Sequence, residues 1–253
     1  AMKNVLAIAA ASIPGPGIPE IATHGAASAA SPFGSVWRRH GACLLVFTSI
    51  AILQLRNTWL YPLGRGFDPM QHADYVRYVA THWRVPTARD GWEMSQPPLY
   101  YILAALVYSI AGGATREAFA MKVVQFLSPA AALATLGCAW WLLSELLPTR
   151  TRARVLGFAV VGYLPVMLYV GPQVTNETFA AFTIGAAVCL AVRWGFQPQP
   201  RLTRALPIGI ACGLGLLSKY TGFFVFAGTC CLAGLRCVAG ALDRSTYPSI
   251  RKG

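Results

Sequence analysis

Pro148-Thr-Arg150-Thr-Arg152-Ala-Arg154 is the densest basic cluster in this chain, and it stands between two apolar runs, Val123–Leu147 and Val155–Thr175. Its surroundings say what kind of protein carries it. Of the 253 residues, 55% are hydrophobic and 12% charged, and that charged share is about half the usual one. Long charge-free runs recur, which places the chain among membrane proteins. A net charge of +12 in a soluble protein would point to nucleic acid. Here the basic residues fall in short clusters between apolar runs, the pattern that membrane topology imposes. The seven cysteines all lie inside apolar runs without metal-ligand spacing, and read as small buried hydrophobes rather than a disulfide framework.

Working outward from the arginines fixes a topology. Trp37-Arg38-Arg39-His40 precedes Gly41–Leu63, an apolar run broken only by Arg56 and long enough to cross a bilayer. The arginine pair before it favours a cytoplasmic N-terminus, so the following stretch falls on the outer face. Leu99–Ala111 is short for a span. If it only dips into the outer leaflet, Val123–Leu147 runs inward and Arg150, Arg152 and Arg154 land in the cytoplasm; if it crosses, they land outside. The positive-inside preference selects the first. Val155–Thr175 then runs outward, Phe179–Val192 returns to a loop holding Arg193, Arg201 and Arg204, Ala205–Ser218 goes out, and Gly222–Leu242 comes back toward Arg251-Lys252.

The fold expected is therefore all-α and integral to the membrane. It has about six transmembrane helices, with juxtamembrane helices in the first outer loop. Residues 1–36, rich in Ala, Gly, Ser and Pro, read as a low-complexity disordered tail, although Met2-Lys3 ahead of Val5–Ala11 has the outline of a signal peptide at the short limit. Residues 37–253 form the membrane domain. Asp68, Asp74, Asp90, Glu93, Glu117 and Glu177 all come out on the outer side without having been used to set the topology.

The polar island Tyr61–Tyr101 holds four of the nine acids and two of the four histidines. Asp68, between Gly66-Phe67 and Pro69, reads either as an aspartate opening a turn or as a carboxylate held at the interface to act as a general base. His72, four residues on, is placed to orient it or is simply packed. Asp74, Arg77 and Tyr78 read as one interfacial amphipathic helix. Asn176-Glu177 is either a helix cap with a dipole-matched acid or a carboxylate facing Asp68. Lys219, interrupting an apolar stretch, either snorkels or binds a phosphate at the interface. Tyr100 and Tyr101 suit an interfacial aromatic belt.

The order of four elements carries more than any one of them. Asp68-Pro-Met-Gln-His72-Ala-Asp-Tyr-Val-Arg-Tyr, Gln96-Pro-Pro-Leu-Tyr-Tyr101, Val174-Thr-Asn-Glu177 and Leu216-Leu-Ser-Lys-Tyr-Thr-Gly222 follow one another along the chain. This arrangement resembles the GT-C membrane glycosyltransferases, in particular the family 39-like branch similar to dolichyl-phosphate-mannose–protein mannosyltransferases, over residues 37–240. The resemblance implies a polyprenyl-phosphate-linked sugar as donor and a glycan, lipid or protein hydroxyl as acceptor at the outer face, with the inner (plasma) membrane of a bacterium as location. It implies Asp68 as the catalytic acid of the first outer loop. Lys219 and Arg65 are then expected to face the lipid phosphate, and Glu177, Asn176, His72, Gln96 and Tyr100 to take part in substrate binding. No metal ligand set is assigned; a divalent cation has room near Asp68 and Glu177, but two carboxylates are few ligands. The family often has Asp-Glu where this chain has Asp68-Pro69, and relatives continue through further spans, so the chain looks like the N-terminal part of such an enzyme. The rival expectations are a transporter or flippase subunit, whose mark would be mid-span charges or paired broken helices, and a non-catalytic membrane protein.

Overall fold

The computed structural model describes residues 32–197, 203 and 205–246. Of the tail expected at 1–36, residues 1–31 lie outside the described residues, as do Arg201, Arg204 and Arg251-Lys252, while residues 32–36 fall within the first helix. Ten α-helices follow in order: α1 (Pro32–Leu60), α2 (Pro69–His82), α3 (Leu99–Ile110), α4 (Glu117–Gln125), α5 (Leu127–Leu146), α6 (Thr151–Gly162), α7 (Pro165–Val170), α8 (Glu177–Gly195), α9 (Ala205–Ser218) and α10 (Gly222–Thr246). Single turns of 3₁₀-helix at Glu93–Ser95 and Gly113–Arg116 precede α3 and α4. No strand occurs among the described residues.

Four helical segments are long and apolar enough to cross a membrane: Gly41–Leu60, Gly113–Leu146, Glu177–Gly195 and Gly222–Ala239. This is the build of a helical membrane protein. The remaining apolar runs behave differently from the simple six-span reading. The run 155–175 is not one helix: it breaks at Tyr163-Leu164, where Leu164 adopts ψ 129° ahead of Pro165. Proline pushes its predecessor out of the helical region and cannot donate to the preceding turn. At 14 residues α9 reaches about 21 Å, short of the ~30 Å hydrocarbon core. The run 123–147 conversely starts early, at Gly113, and is interrupted at Phe126, just after Gln125, whose carbonyl the missing amide of Pro129 cannot meet.

Gln96-Pro-Pro does open a helix. α3 has 12 residues, about 18 Å, too short to cross. Its Tyr100, Tyr101, Ala104, Ala105 and Tyr108 pack on Ala73, Tyr75, Val76 and Val79 of α2 and on Ala120, Met121 and Val124 of α4. Burying three tyrosines and this aliphatic set makes the loop between α1 and α4 a packed unit rather than a strand of interfacial helices. Tyr100 and Tyr101 are fully buried, so they are core and not a lipid-facing belt. Arg77 ties the unit shut, donating to Glu117 Oε1 at 2.7 Å and to Asp74 Oδ1 at 2.7 Å.

The charges divide by end. Arg154 lies over the Trp140 ring at 5.6 Å and Arg193 over Trp141 at 5.6 Å, so both arginine groups meet at the C-terminal part of α5. At the other end of that helix, about 30 Å away at 20 residues, Ser128 lies under Thr175 and the acids gather. Glu145 is the acid that stays with the arginines. The cysteines depart from the expectation: Cys230, Cys231 and Cys237 are exposed on α10, while Cys189 and Cys212 are buried. In an apolar helix with one face unpacked, a small thiol serves a lipid-facing position as well as a buried one.

Candidate functional site

Four stretches distant in sequence close around one cavity of about 450 Å³. Phe67, Asp68 and His72 come from the start of α2, Glu93 and Gln96 from the turn before α3, Gln173–Thr178 from the start of α8, and Lys219 from the corner between α9 and α10. Each is placed by local chemistry that the sequence dictates.

Asp68 sits in the left-handed region, φ 47°, ψ 41°, immediately before Pro69. A non-glycine residue holds such a conformation at a cost of about 1–2 kcal/mol, and aspartate tolerates it better than most. The surrounding turn enforces it. Gly66 has φ 132°, and a Cβ there would collide with the Gln173 side chain. The Phe67 amide donates to Gln173 Oε1 at 3.0 Å. Although Asp68 occupies the N-cap position of α2, its carboxylate caps nothing; it is exposed to the cavity. The turn-opening reading therefore describes its backbone and leaves its side chain unassigned.

His72 is 6% exposed. Its Nδ1 lies 2.7 Å from the Tyr101 hydroxyl and its Nε2 3.4 Å from Thr175 Oγ1. Burial drives its pKa down to about 4, with Lys219 adding to the fall and Glu177 and Asp68 opposing it. At neutral pH the ring is uncharged, so it donates through one nitrogen and accepts through the other. The Tyr101 ring is clamped in turn by Tyr75, stacked at 3.7 Å and 9°, and the Tyr75 hydroxyl donates to the Gln96 carbonyl at 3.2 Å.

Asn176 begins α8 but does not cap it. Its Nδ2 donates instead to the Ser218 carbonyl at 3.3 Å, joining the start of α8 to the end of α9. Thr183 completes that seam by donating to Ser218 Oγ at 3.1 Å. At the next residue of each helix end, Lys219 forms an ion pair with Glu177. The Tyr220 hydroxyl donates to the Ser95 carbonyl at 2.6 Å, fastening the same corner to the loop that carries Glu93 and Gln96. Glu93 is half-buried, and burial followed by the charge of Asp68 raises its pKa.

Of the residues named from sequence, Asp68, His72, Gln96, Asn176, Glu177 and Lys219 share this cavity. Two do not. Tyr100 is sealed in the core below it, and Arg65 lines a second cavity on the far side of the Gly66 turn. Glu93, Gln173 and Thr175 belong to the site and were not singled out. Glu93 stands three residues before Gln96, one turn of 3₁₀-helix, which was the available signal; Gln173 offered none, because its role is to meet a backbone amide 106 residues away. Among the described residues no three His, Cys, Asp or Glu side chains are grouped closely enough to hold a metal ion.

Chemically, the cavity offers an exposed carboxylate on a strained turn, a neutral imidazole, a second carboxyl with a raised pKa, and a cation at its rim. No protein-family model matches the sequence, and no curated protein is similar to it.

Proposed function

We propose that this protein transfers a sugar from a polyprenyl-phosphate-linked donor to an acceptor hydroxyl at the outer face of the membrane, with inversion at the anomeric carbon. The observation that carries the reading is the meeting of Asp68, Glu177 and Lys219 in one cavity, from three separate stretches of the chain, with Glu177 and Lys219 themselves 42 residues apart. Asp68 takes the proton of the acceptor O–H as that oxygen bonds to the anomeric carbon. The bond from that carbon to the phosphate oxygen breaks, and the lipid phosphate leaves with the electron pair. A single displacement needs one base, in contrast to the paired carboxylates of a two-step retaining reaction. Lys219, steadied by Glu177, faces the charge that develops on the leaving phosphate. Gln96 and Asn176 supply hydrogen-bonding side chains at the wall.

The same reading counts α6–α7 and α9 as shorter crossings beside the four long segments, giving a GT-C-like arrangement with the acidic end outside and the arginine end in the cytoplasm. Lipid-linked donors enter such a cavity from the side, which agrees with apolar Val166, Met167 and Val170 on its wall.

The decisive experiment replaces Asp68 by Asn and measures sugar transfer from a polyprenyl-phosphate donor in membranes. Asparagine also accepts the left-handed conformation, so the turn is kept while the base is removed. A loss of about 10²–10⁴-fold is expected. Unchanged turnover at equal expression would remove Asp68 from the reaction.

A further inference from the structure

The second cavity, about 580 Å³, lies along the end of α1 where α6 and α7 part at Leu164-Pro165. Arg56 and Arg65 both line it, with Tyr61, Tyr163 and Tyr169 on its walls, and no acidic side chain contributes to it. Neither arginine enters an ion pair among the described residues. The Tyr61 hydroxyl is shielded from solvent and lies beside Tyr169. Arg56 is one turn inside the end of the Gly41–Leu60 segment, about 6 Å below its last residue. A single arginine at that depth would be explained by snorkelling. Two arginines from different segments that line one cavity without a carboxylate, and that enter no ion pair among the described residues, are not.

We propose that this cavity binds the phosphate group of an anionic membrane phospholipid, at a site separate from the Asp68 cavity. Guanidinium forks match phosphate oxygens in pairs. Leu55 and Trp59 on the exposed face of α1, at 48% and 70% exposure, leave an apolar surface beside the cavity for acyl chains, with tryptophan at headgroup level. The broken helix makes room for the headgroup: a continuous helix through residues 163–165 would fill it. Gly66 links the two cavities, since the turn it permits sends Arg65 to one side and Asp68 to the other.

The test is native mass spectrometry of the whole chain, released from detergent and titrated with phosphatidylglycerol, phosphatidylcholine or inorganic phosphate. Phosphatidylglycerol should be retained in preference to phosphatidylcholine. Retention should fall about tenfold or more in Arg56→Gln/Arg65→Gln and stay unchanged in Lys219→Ala. Inorganic phosphate that displaces the lipid from the wild-type chain assigns the site to the phosphate group alone; failure to displace it assigns the site to the phospholipid as a whole. Equal retention of the two phospholipids, or undiminished phosphatidylglycerol in the double variant, overturns the proposal. Should the double variant not fold, Arg65→Gln, which lies outside α1, carries the same reading: retention undiminished in it overturns the proposal.

Discussion

The Gln173 side-chain carbonyl accepts a hydrogen bond from the Phe67 amide at 3.0 Å, and so the loop before α8 sets the backbone turn that presents Asp68. The same Gln173 donates through Nε2 to the Tyr169 carbonyl at 2.9 Å, which fixes its own orientation. Neither end of the amide is free to drift. A left-handed residue ahead of a proline is held by its surroundings, not by preference, and Gln173 is the surrounding that holds this one.

Replacing Gln173 by Leu keeps the volume and removes both hydrogen bonds. Sugar transfer should fall by tenfold or more, while the melting temperature drops by only the few degrees expected for about 1–2 kcal/mol. A variant with unaltered turnover would show that Asp68 keeps its place without this support. Gly66→Ala is expected to be more severe, because a Cβ meets Gln173 and φ 132° is strained for alanine; loss of activity together with folded yield is the expected readout.

His72 makes stability depend on pH with a definite sign. Its pKa is about 4 in the folded chain against about 6.5 when unfolded, so between these values the unfolded state binds more protons. Stability therefore rises with pH from about 4 to 6.5 and is flat above. The full swing is on the order of 3 kcal/mol. Thermal unfolding of the purified protein across this range should show that slope, and His72→Gln should flatten it. An equal slope in the variant would assign it to another group.

Lys219→Ala should lower kcat/KM for the lipid-linked donor by about 10²-fold, the scale for removing one group that stabilises developing charge. Lys219→Arg, keeping the charge but not the reach, should recover part of it. Glu177→Gln releases Lys219 from its ion pair and should cost less than Lys219→Ala. The reverse order would make Glu177, rather than Lys219, the group that meets substrate.

Gly222 packs against the backbone of α9: an added Cβ would lie 2.6 Å from the Gly215 carbonyl carbon. Gly222→Ala should push α9 and α10 apart and destabilise the protein by about 1–3 kcal/mol, the scale of overpacking. The Lys219 corner is three residues away, so turnover should fall with it. A thermal midpoint equal to wild type would show that the two helices have slack at this point.

Much of the build follows from the sequence taken by itself. An apolar run as long as a bilayer is thick marks Gly41–Leu63 without reference to any other part of the chain, because span length is set by the solvent; the run Phe179–Val192 is shorter and lies within the longer helix Glu177–Gly195. The clustering of Arg150, Arg152, Arg154 and Arg193 is equally local, and the structure brings Arg154 and Arg193 to one end of α5. Gln96-Pro-Pro opens α3 because proline fits a first helical turn. Lys219 stood out as a charge interrupting an apolar stretch, Asp68 as an acid of the polar island Tyr61–Tyr101, and Glu177 as an acid at the end of a span.

What the tertiary structure alone decided is which of these charges meet. Residues 155–175 held enough apolar length for one helix, and the break came at Leu164, ahead of Pro165. Tyr100 and Arg65 carried the same polar signal as Gln96 and Lys219, yet Tyr100 is buried under the floor of the cavity and Arg65 points into the other one. Periodicity assigns a residue to a face of its own helix; it does not say what that face meets. The Asp68 turn is the clearest case, since its geometry is written in Gln173, more than a hundred residues downstream.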